Sequence, residues 1–100
     1  MMPVIRAGTE LVIATDVLDE LLDPPALFSP QGGVKVTLHP PSGTSPVDEE
    51  AMTLTTVGHY TFQYQSTVTD VLGVWTIEFK VQHNSSVVLT PSAGGFVLVA

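Results

Sequence analysis

One hundred residues, 44% of them hydrophobic, are enough for one domain with a single two-layer core. Ten acids against three bases (Arg6, Lys35 and Lys80) leave a net charge of −7, which argues against a surface built to hold nucleic-acid phosphates. Cysteine is absent, which excludes disulfides and thiolate metal sites, and no apolar run is long enough to span a membrane.

The charged fraction is 13%, where soluble domains usually carry about a quarter. A small domain has a large surface to cover, so this composition points to faces that bury against other chains. A monomer coated with Thr, Ser and Gln is the plainer alternative.

Along the chain, the opening Met1-Met2-Pro3-Val4-Ile5-Arg6 lacks the apolar run and small-residue cleavage site of a signal peptide. A first strand is expected from about Thr9 to Val17, with Leu11 and Ile13 on one face and Val12 and Ala14 on the other. The acids at 16, 19, 20 and 23 fall at helical spacing, so the segment up to Pro24-Pro25 reads as a helical turn or as a turn and an extended edge. Ser29 to Gly33 forms a turn, Val34-x-Val36-x-Leu38 a strand, and the three prolines between His39 and Pro46 an irregular loop.

Glu50 to Thr55 reads as a strand with Met52 and Leu54 inward, and Val57-Gly58 turns into the next. Two segments then alternate strictly. Tyr60, Phe62 and Tyr64 share one face against His59, Thr61, Gln63 and Gln65; Trp75, Ile77, Phe79 and Val81 share one face against Thr76, Glu78, Lys80 and Gln82. A period of two buries one face of a strand and exposes the other. Ser66 to Leu72 connects these strands, and Gly58 and Gly73 are the turn glycines at their starts. A turn at His83 to Ser86, a strand from Val87 to Leu89, a Pro91 to Gly95 connection and a strand from Phe96 to Val99 complete the chain. About seven antiparallel strands at these spacings predict an all-β Greek-key sandwich with Tyr60, Phe62, Trp75, Ile77, Phe79 and Phe96 in its core.

Taken in order, Gly8-Thr9-Glu10-Leu11, Asp23-Pro24, Val34 to Leu38, Pro41-Ser42-Gly43, Gly58-His59-Tyr60, Gly73-Val74-Trp75 and Phe96-Val97-Leu98-Val99 resemble a known pattern. It is that of the small immunoglobulin-like modules of tailed-bacteriophage and prophage structural proteins, and the resemblance covers most of the chain. Leu18 to Leu22 replaces the usual glycine-containing hairpin, and the loop around Ser29 is longer than the pattern. Gly58-x-Tyr60-x-Phe62 also resembles the tyrosine corner of immunoglobulin sandwiches, which implies that the Tyr60 hydroxyl returns to the backbone and pins a crossover.

Chemistry is sparse. His39, His59 and His83 are too scattered for a metal site read from spacing, and they read as independent surface histidines. There is no nucleophile elbow, phosphate loop or His-Glu-x-x-His. The acids at 16, 19, 20 and 23 and at 48 to 50 lack the loop spacing of a calcium motif and read as solvated faces. No cofactor and no enzymatic activity are expected.

The resemblance implies a non-enzymatic virion protein, made in the host cytoplasm, that decorates or cements a capsid or joins the head-to-tail neck. Its partners would be a major capsid or neck or tail protein, with many copies in a symmetric assembly and neither nucleic acid nor membrane bound. The alternative is a carbohydrate- or surface-binding module of a fibre or secreted protein. That reading needs an exposed aromatic platform, for which Phe28 or Tyr64 would have to serve.

Overall fold

The computed structural model describes residues 2–19, 24, 26–83 and 86–100, with backbone alone at 19 and 86–93. Ten strands lie among them and no helix: β1 (Val4–Arg6), β2 (Glu10–Asp16), β3 (Leu18–Asp19), β4 (Ala26–Leu27), β5 (Val34–His39), β6 (Val47–Ala51), β7 (Thr53–Thr56), β8 (His59–Gln65), β9 (Gly73–His83) and β10 (Ser86–Val99). The residues at 20–23 and 84–85, on which the expected helical turn and the turn after His83 partly fall, lie outside the described set.

The strands form a five-stranded sheet in the order β1-β10-β9-β5-β6, a three-stranded sheet in the order β2-β8-β7, and a ribbon of β3 with β4. Every pairing is antiparallel except β1 on β10, which is parallel and sets Val4 beside Val97. The two larger sheets meet through their apolar faces, as in a β-sandwich. The Tyr64 ring of β8 lies 6.3 Å from that of Trp75 on β9, and Trp75 stacks on Phe96 of β10 at 5.5 Å.

Period-two alternation builds this core. Val34, Val36 and Leu38 of β5, Trp75 and Phe79 of β9, Phe96 and Leu98 of β10, and Ile13 and Tyr60 from the opposite sheet are all buried. Burying the Trp75 indole requires a partner for its N–H, and Nε1 donates to the Val71 carbonyl at 2.8 Å. Four of the six expected core residues are buried. Phe62 and Ile77 face inward yet remain half-buried, packed at the margin of the cluster.

Several expectations change. A strand at Val4–Arg6 precedes the first one expected; three residues are too few to show a period. The chain passes from β6 in one sheet to β7 in the other at buried Met52, so the expected Glu50 to Thr55 strand is two strands in different sheets. Leu54, expected inward, is exposed, because β7 lies at the edge of its sheet. The two closing strands are one long strand, β10, paired with β9 throughout apart from an irregularity between Thr90 and Gly94.

Glycine is required at two junctions. Gly58 has φ +76°, and a Cβ there would sit 2.8 Å from Leu27 Cβ and 3.0 Å from both Phe28 N and Val17 O. Its carbonyl accepts the Val17 amide at 2.8 Å, so one turn ties together the ends of β2 and β4. Gly73, at φ +126°, opens β9 with Pro41 Cγ 3.2 Å from where its Cβ would stand.

Candidate interaction surface

One group of exposed apolar side chains meets on the outer face of the five-stranded sheet. Phe96 and Leu98 of β10 are buried, so alternation turns Val97 and Val99 outward. The register then lines up Val4 of β1, Val97 of β10 and Val74 of β9 in one row across three strands. Val4 is 66% exposed and Val74 48%, and exposed Met2, Leu72 and Val99 flank them. Residues directly opposite on one face lie about 5 Å apart, so this is a contiguous apolar ladder rather than scattered leucines and valines. Arg6, paired with Val99, adds one cation at its rim.

Among the described residues, the same face also carries two ionic contacts. Lys80 Nζ donates to Glu49 Oε1 at 2.7 Å, and His39 Nε2 lies 3.5 Å from Glu78 Oε1. The hydrogen bond and charge of Lys80 hold the Glu49 carboxyl below its ordinary pKa. Glu49 adopts φ +50° at a register shift between β5 and β6, and its amide donates to Thr37 Oγ1 at 2.9 Å. Thr37 is thereby buried on a face that would otherwise expose it.

The outer face of the three-stranded sheet carries Thr53, Thr61, Gln63 and Gln65, with Glu10 and Asp16 at the two ends of its β2 edge. Its charged pair is His59 with Asp16, joined through Nδ1 and Oδ1. The third histidine, His83, accepts the Gln31 amide on Nδ1 at 3.1 Å and meets Phe28 edge to face. The three histidines thus sit with three different partners, and the described residues contain no cluster of three metal-ligating side chains. Asp48 and Glu50 are exposed on β6.

The hydrogen bonds of the described residues include none from the Tyr60 hydroxyl, whereas Tyr64 donates to Asp70 Oδ2 at 2.7 Å. The same oxygen accepts the Thr67 amide at 2.9 Å, which folds the β8–β9 connection onto the end of β8. Buried Ser66 completes that corner: its Oγ donates to the Thr9 carbonyl at 2.6 Å and accepts the Gly8 amide at 3.0 Å. Nothing in the local alternation marks Ser66 or Asp70 for these roles.

None of the seven aromatic side chains is exposed; Phe28, Phe62 and Tyr64 are half-buried and the others buried. The surface therefore offers an aliphatic row and a Thr- and Gln-rich face rather than an aromatic platform. Comparison with family models, with curated proteins and with solved structures finds no match to this chain.

Proposed function

We propose that this chain is a non-enzymatic structural protein of a bacteriophage virion, an immunoglobulin-like module that decorates or cements a capsid or serves in the neck. The observation that carries the reading is the Val4–Val97–Val74 ladder, an apolar row exposed at Val4 and Val74 on a domain with only 13% charged residues. Such a face costs solubility unless a partner covers it. Many copies on a symmetric lattice would turn modest contacts into firm attachment.

The strand order supports the immunoglobulin-like part of the reading. With β2, β8 and β7 taken as strands B, E and D, and β10, β9, β5 and β6 as G, F, C and C′, the order in each sheet is compatible with an immunoglobulin-type Greek key. In that labelling the Tyr64–Asp70 bond fastens the E–F connection, from the end of strand E onto a side chain. The ordered resemblance of Gly58-His59-Tyr60, Gly73-Val74-Trp75 and Phe96 to Val99 to phage modules supports the virion assignment. The carbohydrate-binding alternative would have to use Phe28 or Tyr64, both of which are half-buried.

Quantitative mass spectrometry of purified particles of the encoding virus tests the proposal. The polypeptide is expected in many copies per particle, in fixed ratio to the major capsid or a neck protein. Its absence from washed particles would overturn the assignment.

A further inference from the structure

The flank of the molecule beside β2 has a different character from the ladder. β2 ends its sheet and, among the described residues, has a strand on one side only. Between it and the five-stranded sheet lies an open cleft of about 200 Å³, lined by Pro3, Leu11, Ile13, Ile77, Phe79 and Phe96. Two features keep it open. Gly95 lines it with backbone alone, and β1 joins β10 only from Val97 onward, its first link being the Val97 amide on the Pro3 carbonyl at 2.9 Å. The cleft is larger than the roughly 150 Å³ apolar cavity that holds a benzene-sized guest. It explains why inward-facing Ile77 is only half-buried.

We infer that this flank is a docking groove for an extended segment of a partner protein, which adds a strand to β2 and seats alternate apolar side chains in the cleft. Strand addition supplies main-chain hydrogen bonds to a free edge, while pockets for alternate side chains set specificity. The charges on β2 select the occupant. Glu10, Val12, Ala14 and Asp16 point to the outer face while Leu11 and Ile13 point to the cleft. A second copy pairing antiparallel about Ile13 would set Glu10 opposite Asp16 at both ends, and like charges directly opposite are destabilising. A strand carrying Lys or Arg at both ends and apolar residues at alternate positions meets both acids. Asp16 already contacts His59, whereas Glu10 takes no part in the ion pairs of the described residues, so the cation opposite Glu10 contributes more. The groove does not depend on the virion assignment.

The test uses a capped heptapeptide, Arg-Val-Thr-Val-Thr-Val-Arg, titrated into the isotope-labelled full chain while amide chemical shifts are followed. Saturable shifts and slowed amide exchange are expected along Glu10–Asp16, with a peptide bearing Glu at both ends binding at least about tenfold more weakly. In a Glu10→Lys variant, which alters an exposed side chain, the preference at that end inverts: a peptide with Glu in its last position outbinds the all-Arg version. Absence of saturable binding, shifts centred on Val4, Val74 and Val97, or indifference to the peptide's end charges would each overturn the inference. Presence or absence of the chain in virions would leave these results unchanged, so the two proposals fail separately.

Discussion

The Tyr64 hydroxyl and the Asp70 carboxylate are joined by a 2.7 Å hydrogen bond that fastens the β8–β9 connection to the end of β8. Burial raises the Asp70 carboxyl, but the hydrogen bonds from Tyr64 and Thr67 outweigh it and leave the pKa below its ordinary value. Burial, reinforced by the neighbouring carboxylate, pushes the Tyr64 hydroxyl well above the usual tyrosine range.

Both shifts make stability depend on pH in defined windows. A depressed Asp70 means that the unfolded chain binds more protons just below about pH 4, so this contribution is present above that pH and lost as pH falls through the folded pKa. A raised Tyr64 means that the unfolded chain loses its proton first, so this contribution is present below about pH 10 and lost as pH rises beyond it. Urea midpoints measured against pH are expected to fall on both limbs. Asp70→Asn should flatten the acid limb and Tyr64→Phe the alkaline limb, each costing about 1 kcal/mol at neutral pH.

Trp75 is the sole tryptophan and is 1% exposed, so it reports on the core directly. Native emission is expected in the blue range of a buried indole and should shift red in a single step with unfolding. Trp75→Ala removes the ring stacked on Phe96 and is expected to cost about 3–5 kcal/mol in denaturant melts. Trp75→Phe, which also loses the hydrogen bond to Val71, should cost less.

Two glycines with nearly the same backbone angle separate steric contact from conformational strain. Gly33 has φ +73° with nothing within 4 Å of where its Cβ would stand, whereas Gly58 at φ +76° is crowded by Leu27, Phe28 and Val17. Gly33→Ala is expected to cost about 1 kcal/mol, the ordinary strain of a left-handed alanine. Gly58→Ala should cost more than about 2 kcal/mol, because backbone atoms of two segments must also move. Equal thermal shifts in the two variants would show that packing at Gly58 is looser than described.

Strict alternation made much of the core legible: Tyr60, Trp75, Phe79 and Phe96 are buried as the period requires. It said less about margins. Ile77 obeys the same period but lines the open cleft, which forms where β2 meets β9 and β10 across the fold. Met52 is inward in either sheet, so the switch between sheets at that residue leaves no mark on the pattern. The apolar ladder was illegible for a topological reason. Val4, Val74 and Val97 are distant in sequence, and only the parallel pairing of β1 with β10 brings them into one row. Low charge foretold that some face would be apolar without saying which one.

The most direct test of an adhesive outer face compares wild type with the double variant Val4→Lys, Val74→Lys, supplied in place of the native protein during particle assembly. Both positions are exposed, so the variant should keep its melting behaviour to within about 0.5 kcal/mol. Mass spectrometry of purified particles is expected to find the wild type in many copies and the folded double variant depleted at least about tenfold, in keeping with the loss of an apolar contact and the burial of two unpaired cations. Equal incorporation of the two proteins would contradict the account.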